Sequence, residues 1–399
     1  MTAITQVAIT QAAILVGGRG TRLGTLSATL PKPLQPVGNR TFLAWQLREL
    51  CRYGIEDVLL LAGYQAGAVA DAVPALVAGL PRPLRVRCLT EPAPAGTGGA
   101  LHHAGPDLAE RFLLLNGDSW LDTPLAPMLT GTGAWVLAHP VPDAARFGTV
   151  RLQRERVIAF EEKGPAGPAL INAGTYAFDR SVLDLTRPVC SLEHDVLPEL
   201  AAAGGLRAVV ADGYFIDIGL PETLAMAQAG LSARLQRPAL FLDRDGVINH
   251  DNGYVGTRDR FHFVDGALAA IAAATCAGWH VFVVTNQSGI ARGYYDEAAF
   301  QTLMRWVLDQ VLAAGGTIDD VRFCPHHPAA TVDAYRADSD WRKPSPGMII
   351  DLLTRWQLDP ARCVLVGDQP TDLAAAAAAG VRGVLFQGGD LRDCVLPLL

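Results

Sequence analysis

Long hydrophobic runs are missing from this sequence of 399 residues, although 50% of it is hydrophobic and only 18% is charged. Because a membrane span needs about 18–20 consecutive apolar residues, we expect no membrane partner. An excess of positive charge is missing as well, since the formal net charge is −7. Proteins that bind nucleic acids generally present a basic face, so we expect no nucleic-acid partner.

Cysteine is scarce, and the first residues lack the basic segment that precedes the apolar run of a secretory signal. The seven cysteines are odd in number and scattered, and they contain no CxxC pair. This pattern is typical of buried thiols in a reducing compartment and not of a disulfide framework. We therefore predict a cytoplasmic protein, and its oligomeric state stays open.

What is present is an alternation of short apolar runs with longer helical patterns rich in alanine and leucine. Apolar runs such as 12–16 and 239–242 suit strands that are covered on both faces. The predicted fold class is α/β, with two domains that each contain a mostly parallel sheet flanked by helices. An Ala-rich helical pattern ends within 228–238, which predicts domains over 1–232 and 237–399.

A glycine-rich loop follows the first apolar run. Residues 17–24 have the sequence GGRGTRLG, and glycines at this place let backbone N–H groups approach a phosphate closely. The loop is not a Walker A motif, which ends in Gly-Lys-Ser/Thr. It is not a dinucleotide fingerprint either, because Leu23 stands where the third glycine belongs. By itself the loop indicates a phosphate site or a tight turn.

Further short motifs follow this loop along the chain. They are PKP at 31–33, Glu91 with GTGGA at 96–100, NGD at 116–118, FEEK at 160–163, NAG at 172–174 and FID at 215–217. In this order they resemble the sugar-1-phosphate nucleotidyltransferase family over about residues 1–225. The resemblance implies a Rossmann-like fold that joins a nucleoside triphosphate to a sugar 1-phosphate. Both reactants are anionic, so positioning and charge neutralisation supply most of the catalysis.

The resemblance to this family implies a role for each matching residue. Arg22 holds the triphosphate, Lys32 bridges the α-phosphate and the sugar phosphate, and Asp118 and Asp217 hold Mg²⁺. The nucleotide is bound by Gly17, Gly18, Gly20, Thr21, Glu91, Gly96 and Thr97. The sugar phosphate is bound by Glu162, Lys163, Asn172 and Gly174, with Glu161 as the alternative to Glu162.

A second polar loop, DRDG at 243–246, follows the apolar run at 239–242. Two carboxylates at positions i and i+2 of one loop can share a metal ion and a phosphate. Thr285, Lys343 and the GDxxxD pattern at 367–372 come later in the chain. In this order the motifs resemble the haloacid dehalogenase (HAD) phosphatase superfamily, which implies a HAD-like Rossmannoid domain with a minimal cap.

The HAD resemblance implies hydrolysis through an aspartyl-phosphate. Asp243 is then the nucleophile, and Asp245 is the general acid and base. Thr285 and Lys343 bind the phosphoryl oxygens, and Asp372 orients Lys343 or the metal shell. Mg²⁺ is held by the side chains of Asp243 and Asp368 and by the backbone carbonyl of Asp245.

Longer strings in the second half resemble the heptose bisphosphate 7-phosphatase branch of that superfamily. They lie at 249–255, 263–266, 285–294 and 324–328. This resemblance makes Arg292 and Arg342 candidates for binding the distal phosphate of a bisphosphate. The histidinol-phosphate phosphatases are a near relative and stay the alternative.

That branch often carries a structural zinc on a Cys-x-His pair and a later Cys-x-Cys pair. Cys324 and His326 match the first pair, but Ser339 and Trp341 occupy the second. Serine and tryptophan do not replace two thiolates in a tetrahedral zinc site, so we predict that zinc is absent. A weak site that uses His327, Asp338 or Asp340 stays the alternative.

Together the two halves predict two consecutive reactions. The second domain would remove the 7-phosphate of heptose 1,7-bisphosphate, and the first would transfer GMP from GTP to the heptose 1-phosphate, giving GDP-heptose and pyrophosphate. GTP follows from the resemblance alone. Two alternatives stay open: a nucleotidyltransferase for a mannose- or glucose-type phosphate fused to a histidinol-phosphate-like phosphatase, or one inactive, regulatory domain.

Overall fold

The chain divides into two compact units, Met1–Leu235 and Gln236–Leu399. The computed structural model describes residues 9–161, 164 and 166–399. Within these residues no helix has both the length and the hydropathy that a membrane crossing requires. The predicted α/β class is confirmed, and each unit has its own sheet.

The strands of the first unit are β1 Gln11–Leu15, β2 Pro36–Val37, β3 Arg40–Thr41, β4 Asp57–Ala62, β5 Arg85–Thr90, β6 Arg111–Asn116, β7 Ser119–Leu121, β8 Ala134–Val141, β9 Thr149–Gln153, β10 Arg156–Glu161, β11 Ala169–Asp179, β12 Leu206–Val210 and β13 Phe215–Asp217. Its α-helices are α1 Thr25–Thr29, α2 Phe42–Leu50, α3 Ala66–Ala78, α4 Gly96–Ala104, α5 Ala126–Thr130, α6 Leu197–Ala202 and α7 Pro221–Arg234.

The main sheet of the first unit has the strand order β5-β4-β1-β6-β11-β8-β12-β10-β9. The four strands from β5 to β6 are parallel, whereas β11 is antiparallel to both β6 and β8. The chain runs from β1 to β4 on one side and returns to β6 on the other, so the strand order reverses at β1. In open α/β sheets a ligand binds at the carboxyl ends of the strands beside such a reversal. The loop at 17–24 begins there.

The second unit contains β14 Ala239–Leu242, β15 His280–Asn286, β16 Asp320–Cys324, β17 Cys363–Gly367 and β18 Arg382–Leu385. Its α-helices are α8 Ala267–Cys276, α9 Ser288–Ala291, α10 Glu297–Ala313, α11 Gly347–Trp356, α12 Pro370–Ala378 and α13 Leu391–Val395. The strand order is β16-β15-β14-β17-β18, and all pairs are parallel.

The central strand β14 shows the burial that is typical of a parallel sheet. All four of its side chains are buried, as expected for a strand with both faces covered. A capping residue fixes where α10 begins: the Asp296 side chain accepts a hydrogen bond from Ala299 N at 2.7 Å. The strand order reverses at β14, which places the loop after Leu242 at the ligand-binding edge of the sheet.

Candidate active sites

The first site lies at the carboxyl ends of β1, β5 and β6. Lys32 is buried, and its Nζ donates to Asp118 Oδ2 at 2.6 Å. Asp217 ends β13, which pairs with β7 so that Asp217 stands opposite Ser119. Ile218 N also donates to Asp118 O at 2.9 Å. The two predicted metal carboxylates are therefore brought together from positions about a hundred residues apart.

Arg22 completes this group. A Cβ atom on Gly219 would lie 2.5 Å from Asp217 Oδ1 and 3.4 Å from Arg22 Nη2, so the guanidinium and the carboxylate share one small space. Burial, and then the charge of Asp118, raise the pKa of Asp217. A pair of close carboxylates with a raised pKa is stabilised by a divalent cation, so the donors present fit Mg²⁺.

Glu91 follows β5 and reaches the start of the glycine-rich loop. A Cβ on Gly17 would lie 3.2 Å from Glu91 Oε1 and 2.7 Å from Gly63 N, so the close approach requires glycine. The carboxylate accepts a weak hydrogen bond from Ala95 N at 3.3 Å, and burial raises its pKa.

The other predicted nucleotide residues differ in their surroundings. Gly18 is exposed with open space around it, and Thr21 is exposed as well. Gly20 accepts a hydrogen bond at its carbonyl from Ser27 Oγ at 2.8 Å. Thr97 Oγ1 is used inside the protein: it donates to Glu193 Oε2 at 2.6 Å and accepts from Leu192 N at 2.8 Å.

The predicted sugar residues on β11 lie beside the end of β6. Asn172 donates to Tyr176 OH at 2.6 Å and accepts from Gly174 N at 3.0 Å. Gly174 packs against Asn116, which leaves no room for a Cβ. Glu162 and Lys163 lie outside the described residues.

The second site is built around Lys343, which is buried at the carboxyl edge of the second sheet. Its Nζ lies 2.9 Å from Asp243 Oδ1 and 2.6 Å from Asp372 Oδ1, and it donates to Val284 O at 2.9 Å. Burial opposes the charge of Lys343, but the two carboxylates outweigh this and raise its pKa. Burial raises the pKa of Asp243 to about 6, although Lys343 partly offsets it.

The carboxylate of Asp245 accepts hydrogen bonds from three side chains. Arg244, which is fully buried, donates to both carboxylate oxygens at 2.7 and 2.8 Å. Asn249 Nδ2 and Gln287 Nε2 each donate at 3.0 Å. Gln287 also donates to Thr285 Oγ1 at 2.8 Å, so it links the predicted acid to the predicted phosphoryl ligand.

Three carboxylates in the second unit could share a metal ion. Oxygen atoms of Asp243, Asp368 and Asp372 lie within 4.8 Å of one another. Asp372 is engaged by Lys343, whereas Asp368 Oδ1 is buried without a hydrogen-bond partner in the described part of the chain. Gly246, at φ +88°, passes so close to Asp368 that a side chain would collide. Asp243 and Asp368 therefore fit Mg²⁺.

A cavity of about 420 Å³ opens above these residues and is lined by Asp243, Asp245, Tyr254, Lys343 and Asp368, among others. The two arginines predicted for a distal phosphate are close enough to interact. Burial and then the positive charge of Arg292 lower the pKa of Arg342, whose Nη1 donates to His326 O at 3.3 Å.

The motifs predict no role for Arg244, Asn249, Gln287, Gln46 or Glu193. The first three stand inside the quoted motifs, but a motif does not show which way its polar side chains are directed. Gln46 Nε2 donates to Asn116 O at 2.8 Å from the middle of α2, where no sequence signal marks it.

We expect the pH profile of the second site to report the raised pKa of Asp243. As the predicted nucleophile, Asp243 must be ionised to attack. A phosphate monoester substrate also protonates near pH 6 and by itself lowers kcat/KM about tenfold per pH unit, so with Asp243 titrating near the same pH the fall in phosphate release should approach about 100-fold per unit. The measurement is a rate profile with recovery on return to pH 7 as the control, and a slope of only about tenfold per unit would contradict the prediction.

These two sites define a class: a nucleotidyl-transfer domain followed by an aspartate-based phosphatase domain. Comparison with known proteins agrees. The Nucleotidyl transferase family matches residues 11–234, and a HAD-hydrolase-like family matches residues 340–397.

Among curated relatives, D-glycero-beta-D-manno-heptose-1,7-bisphosphate 7-phosphatase of Rhodopseudomonas palustris is 51% identical over 164 residues, which are 41% of this chain and 91% of that protein. The D-glycero-alpha-D-manno-heptose-1,7-bisphosphate 7-phosphatase of Burkholderia mallei is 45% identical over 152 residues, 38% of this chain and 80% of that protein. Among solved structures, HddC from Yersinia pseudotuberculosis aligns with a TM-score of 0.50 and 29% identity, over 56% of this chain and 100% of that one; it has also been solved complexed with GMP-PN.

The chain therefore belongs to the nucleotidyl transferase family, and its second half belongs to the HAD-type heptose bisphosphate 7-phosphatases. Both family resemblances drawn from the motifs are confirmed, and so is the prediction of an enzyme with transferase and phosphatase domains.

Proposed function

We propose that this protein makes GDP-heptose in two steps, with domains over 1–232 and 237–399. The second domain hydrolyses the 7-phosphate of heptose 1,7-bisphosphate, and the first transfers GMP from GTP to the heptose 1-phosphate, releasing pyrophosphate. The observation that carries this proposal is the presence of both sites in one chain. The product of a 7-phosphatase keeps the 1-phosphate that a sugar-1-phosphate nucleotidyltransferase uses.

In the phosphatase step, an Asp243 carboxylate oxygen forms a bond to phosphorus while the bond from phosphorus to the sugar oxygen breaks. Asp245, oriented by Arg244 and Gln287, gives a proton to the leaving alcohol and later takes one from the water that cleaves the aspartyl-phosphate. Lys343 and Thr285 neutralise and bind the phosphoryl oxygens. Asp243, Asp368 and the Asp245 carbonyl would hold Mg²⁺, which supplies further charge neutralisation when bound.

In the transfer step, an oxygen of the sugar phosphate forms a bond to the α-phosphorus while the bond to pyrophosphate breaks. Lys32 and Arg22 reduce the repulsion between the two anions and hold them in line. Asp118 and Asp217 would hold Mg²⁺, which offsets charge on the triphosphate when bound. Glu162, Lys163, Asn172 and Gly174 keep their proposed role on the sugar phosphate.

Glu91 supports the choice of guanine. Its carboxylate is half-buried at the start of the phosphate loop and accepts one weak hydrogen bond in the described part of the chain. Guanine presents two adjacent donors, N1–H and the 2-amino group, which match the two oxygens of a carboxylate. Adenine has an acceptor at N1, and uracil and thymine have carbonyls on both sides of one donor, so a carboxylate repels them. The similarity to HddC, solved with GMP-PN, also favours a guanine nucleotide.

Glu91→Gln should therefore weaken guanine selectivity. We expect kcat/KM for GTP to fall about 10–100-fold, because a charge-assisted pair of hydrogen bonds is lost, while the value for ITP, which lacks the 2-amino group, falls less. The measurement is pyrophosphate release with GTP, ITP, UTP and ATP. Equal losses with GTP and ITP would show that Glu91 does not contact the 2-amino group and would contradict the proposed pair of hydrogen bonds. Phosphate release by the second domain is the internal control.

We also propose that the Cys324 loop folds without zinc, in a cytoplasmic enzyme whose other partners are small molecules. Cys324 is buried, His326 packs edge-on against Tyr335 with ring centroids 5.8 Å apart, and Tyr335 OH donates to Glu297 Oε1 at 2.9 Å. These contacts support the loop in place of a metal, and metal analysis of protein purified without chelator measures this directly.

The whole proposal is tested by incubating the protein with heptose 1,7-bisphosphate, Mg²⁺ and each nucleoside triphosphate in turn, and identifying the products by mass. We expect inorganic phosphate in every sample and a nucleotide-heptose with GTP. Transfer to mannose or glucose 1-phosphate but not to heptose 1-phosphate would favour the alternative sugars. Phosphate without any nucleotide-sugar, or the reverse, would favour one inactive domain.

A further inference from the structure

Two tyrosines at the mouth of the phosphatase cavity take no part in the reaction described above. Tyr254 lines the cavity, and the ring of Tyr294 lies against it, with centroids 4.7 Å apart and planes tilted by 42°. Both rings are open to solvent, since 42% of Tyr254 and 64% of Tyr294 is exposed. An exposed aromatic pair beside a reaction cavity is suited to contact with a ligand.

The segment that carries Tyr254 is fixed in an unusual conformation. Tyr254 has a left-handed backbone, with φ at +52°, which is rare for a bulky residue. The guanidinium of Arg260 holds it there, because it donates to the carbonyls of Asn252 and Gly253 at 2.8 Å and of Tyr254 at 3.3 Å. The loop that carries the Tyr254 ring is therefore held by three hydrogen bonds from Arg260 and is not a free surface turn.

Tyr295, the next residue along the chain from Tyr294, shows what a structural tyrosine looks like here. Its OH donates to Gln287 Oε1 at 2.6 Å, and its ring occupies the space where a Cβ of Gly256 or Gly289 would be. Burial raises its pKa to about 12. Tyr295 thus forms part of the wall of the cavity, whereas the exposed Tyr254 and Tyr294 have no such structural role.

Arg292 adds a cation to the exposed pair. Its guanidinium carbon lies 5.7 Å from the centroid of the Tyr254 ring, and its Nε is buried without a hydrogen-bond partner in the described part of the chain. Aromatic faces next to a cation suit a ligand that combines apolar C–H groups with an anion. A phosphorylated sugar has this combination.

We propose that Tyr254 and Tyr294 form a stacking platform for the C–H face of the sugar ring, so that they select ring-form sugar bisphosphates over acyclic ones. This rests on the proposed phosphatase function. The platform binds the ring equally in the ground and transition states, so it acts on KM and not on kcat.

The test compares two substrates in the full-length protein. One is heptose 1,7-bisphosphate, and the other is hexane-1,6-diol bisphosphate, which carries two phosphates on a chain without a ring and is measured as an inhibitor if it is not cleaved. We expect the Tyr254→Ala/Tyr294→Ala double variant to raise KM for the sugar about tenfold, with kcat and the constant for the acyclic compound within about twofold. The Tyr254→Phe/Tyr294→Phe variant keeps both rings and should match the parent.

Equal weakening of both substrates would overturn the platform, because it would show general damage to the cavity. An unchanged KM for the sugar would overturn it as well and would favour a surface for another macromolecule. If the parent protein does not hydrolyse heptose 1,7-bisphosphate, the proposed function fails by itself. The platform is then tested with fructose 1,6-bisphosphate as the ring-form compound, by turnover or inhibition, so the two failures stay distinct.

Discussion

Asp243→Asn is expected to lower phosphate release from heptose 1,7-bisphosphate at least about 10⁴-fold while leaving nucleotidyl transfer to heptose 1-phosphate within about twofold of the parent. Asparagine keeps the shape of the side chain but removes the anionic nucleophile, so no aspartyl-phosphate forms. The transfer site lies in another compact unit and has its own cations and carboxylates. The measurement is phosphate release and pyrophosphate release on the same preparation.

The variant should also fold. Asparagine fills the same space as aspartate and buries no charge, and Lys343 keeps its ion pair with Asp372 at 2.6 Å. The variant loses the ion pair of Asp243 with Lys343, and this loss opposes the gain from burying one charge fewer. We therefore expect a Tm within a few degrees of that of the parent. Asp251→Asn, which changes another cavity-lining carboxylate, is the matched control and should keep full phosphatase activity. Loss of both activities in Asp243→Asn would contradict the idea of independent sites.

Lys32→Met should have the opposite effect. Lys32 is buried against Asp118, and methionine keeps most of its apolar stem while removing the charge. Without this cation the sugar phosphate and the α-phosphate repel each other at the reacting distance. We expect kcat for nucleotidyl transfer to fall about 10²–10³-fold, with phosphate release unchanged.

A second measurement separates this role from simple destabilisation. Removing Lys32 leaves Asp118 beside Asp217 without the cation that competes with a metal ion for these carboxylates, so residual transfer should saturate at a lower Mg²⁺ concentration than in the parent. Lys32→Arg keeps the charge and should retain more activity than Lys32→Met. Equal activity of the two variants would show that the charge at this position is not what catalysis uses.

Lysine is scarce in this chain, and each lysine lies in one of the motifs. The chain has three, Lys32, Lys163 and Lys343, and the motifs assign each of them to a phosphate-binding site. Lys32 and Lys343 are both buried in ion pairs with predicted site carboxylates. The motifs thus place these two lysines beside carboxylates of the same predicted site, and the role of Lys163 stays a prediction.

The sequence by itself determined the fold class and the two enzyme families, and it predicts the site residues and the order of the two reactions. Parallel strands end at a shared edge of a sheet, so residues that follow several apolar runs are brought together whatever the loops do. The chain order of DRDG, Thr285, Lys343 and GDxxxD therefore predicts one cluster in the second domain.

Only the tertiary structure decided which of these residues touch. No short motif in the sequence predicts how β11 and β8 insert into the first sheet, with β11 antiparallel to its neighbours and β8 in mixed pairings. The same holds for three sets of side-chain contacts: the four hydrogen bonds that orient Asp245, the contact of Glu91 with Gly17, and the Tyr254–Tyr294 pair. Some join strands or side chains that are far apart in the chain, and others, such as Arg244 with Asp245, join neighbours whose side chains need not face each other. Such contacts depend on packing and on the direction of each side chain, and a linear pattern specifies neither.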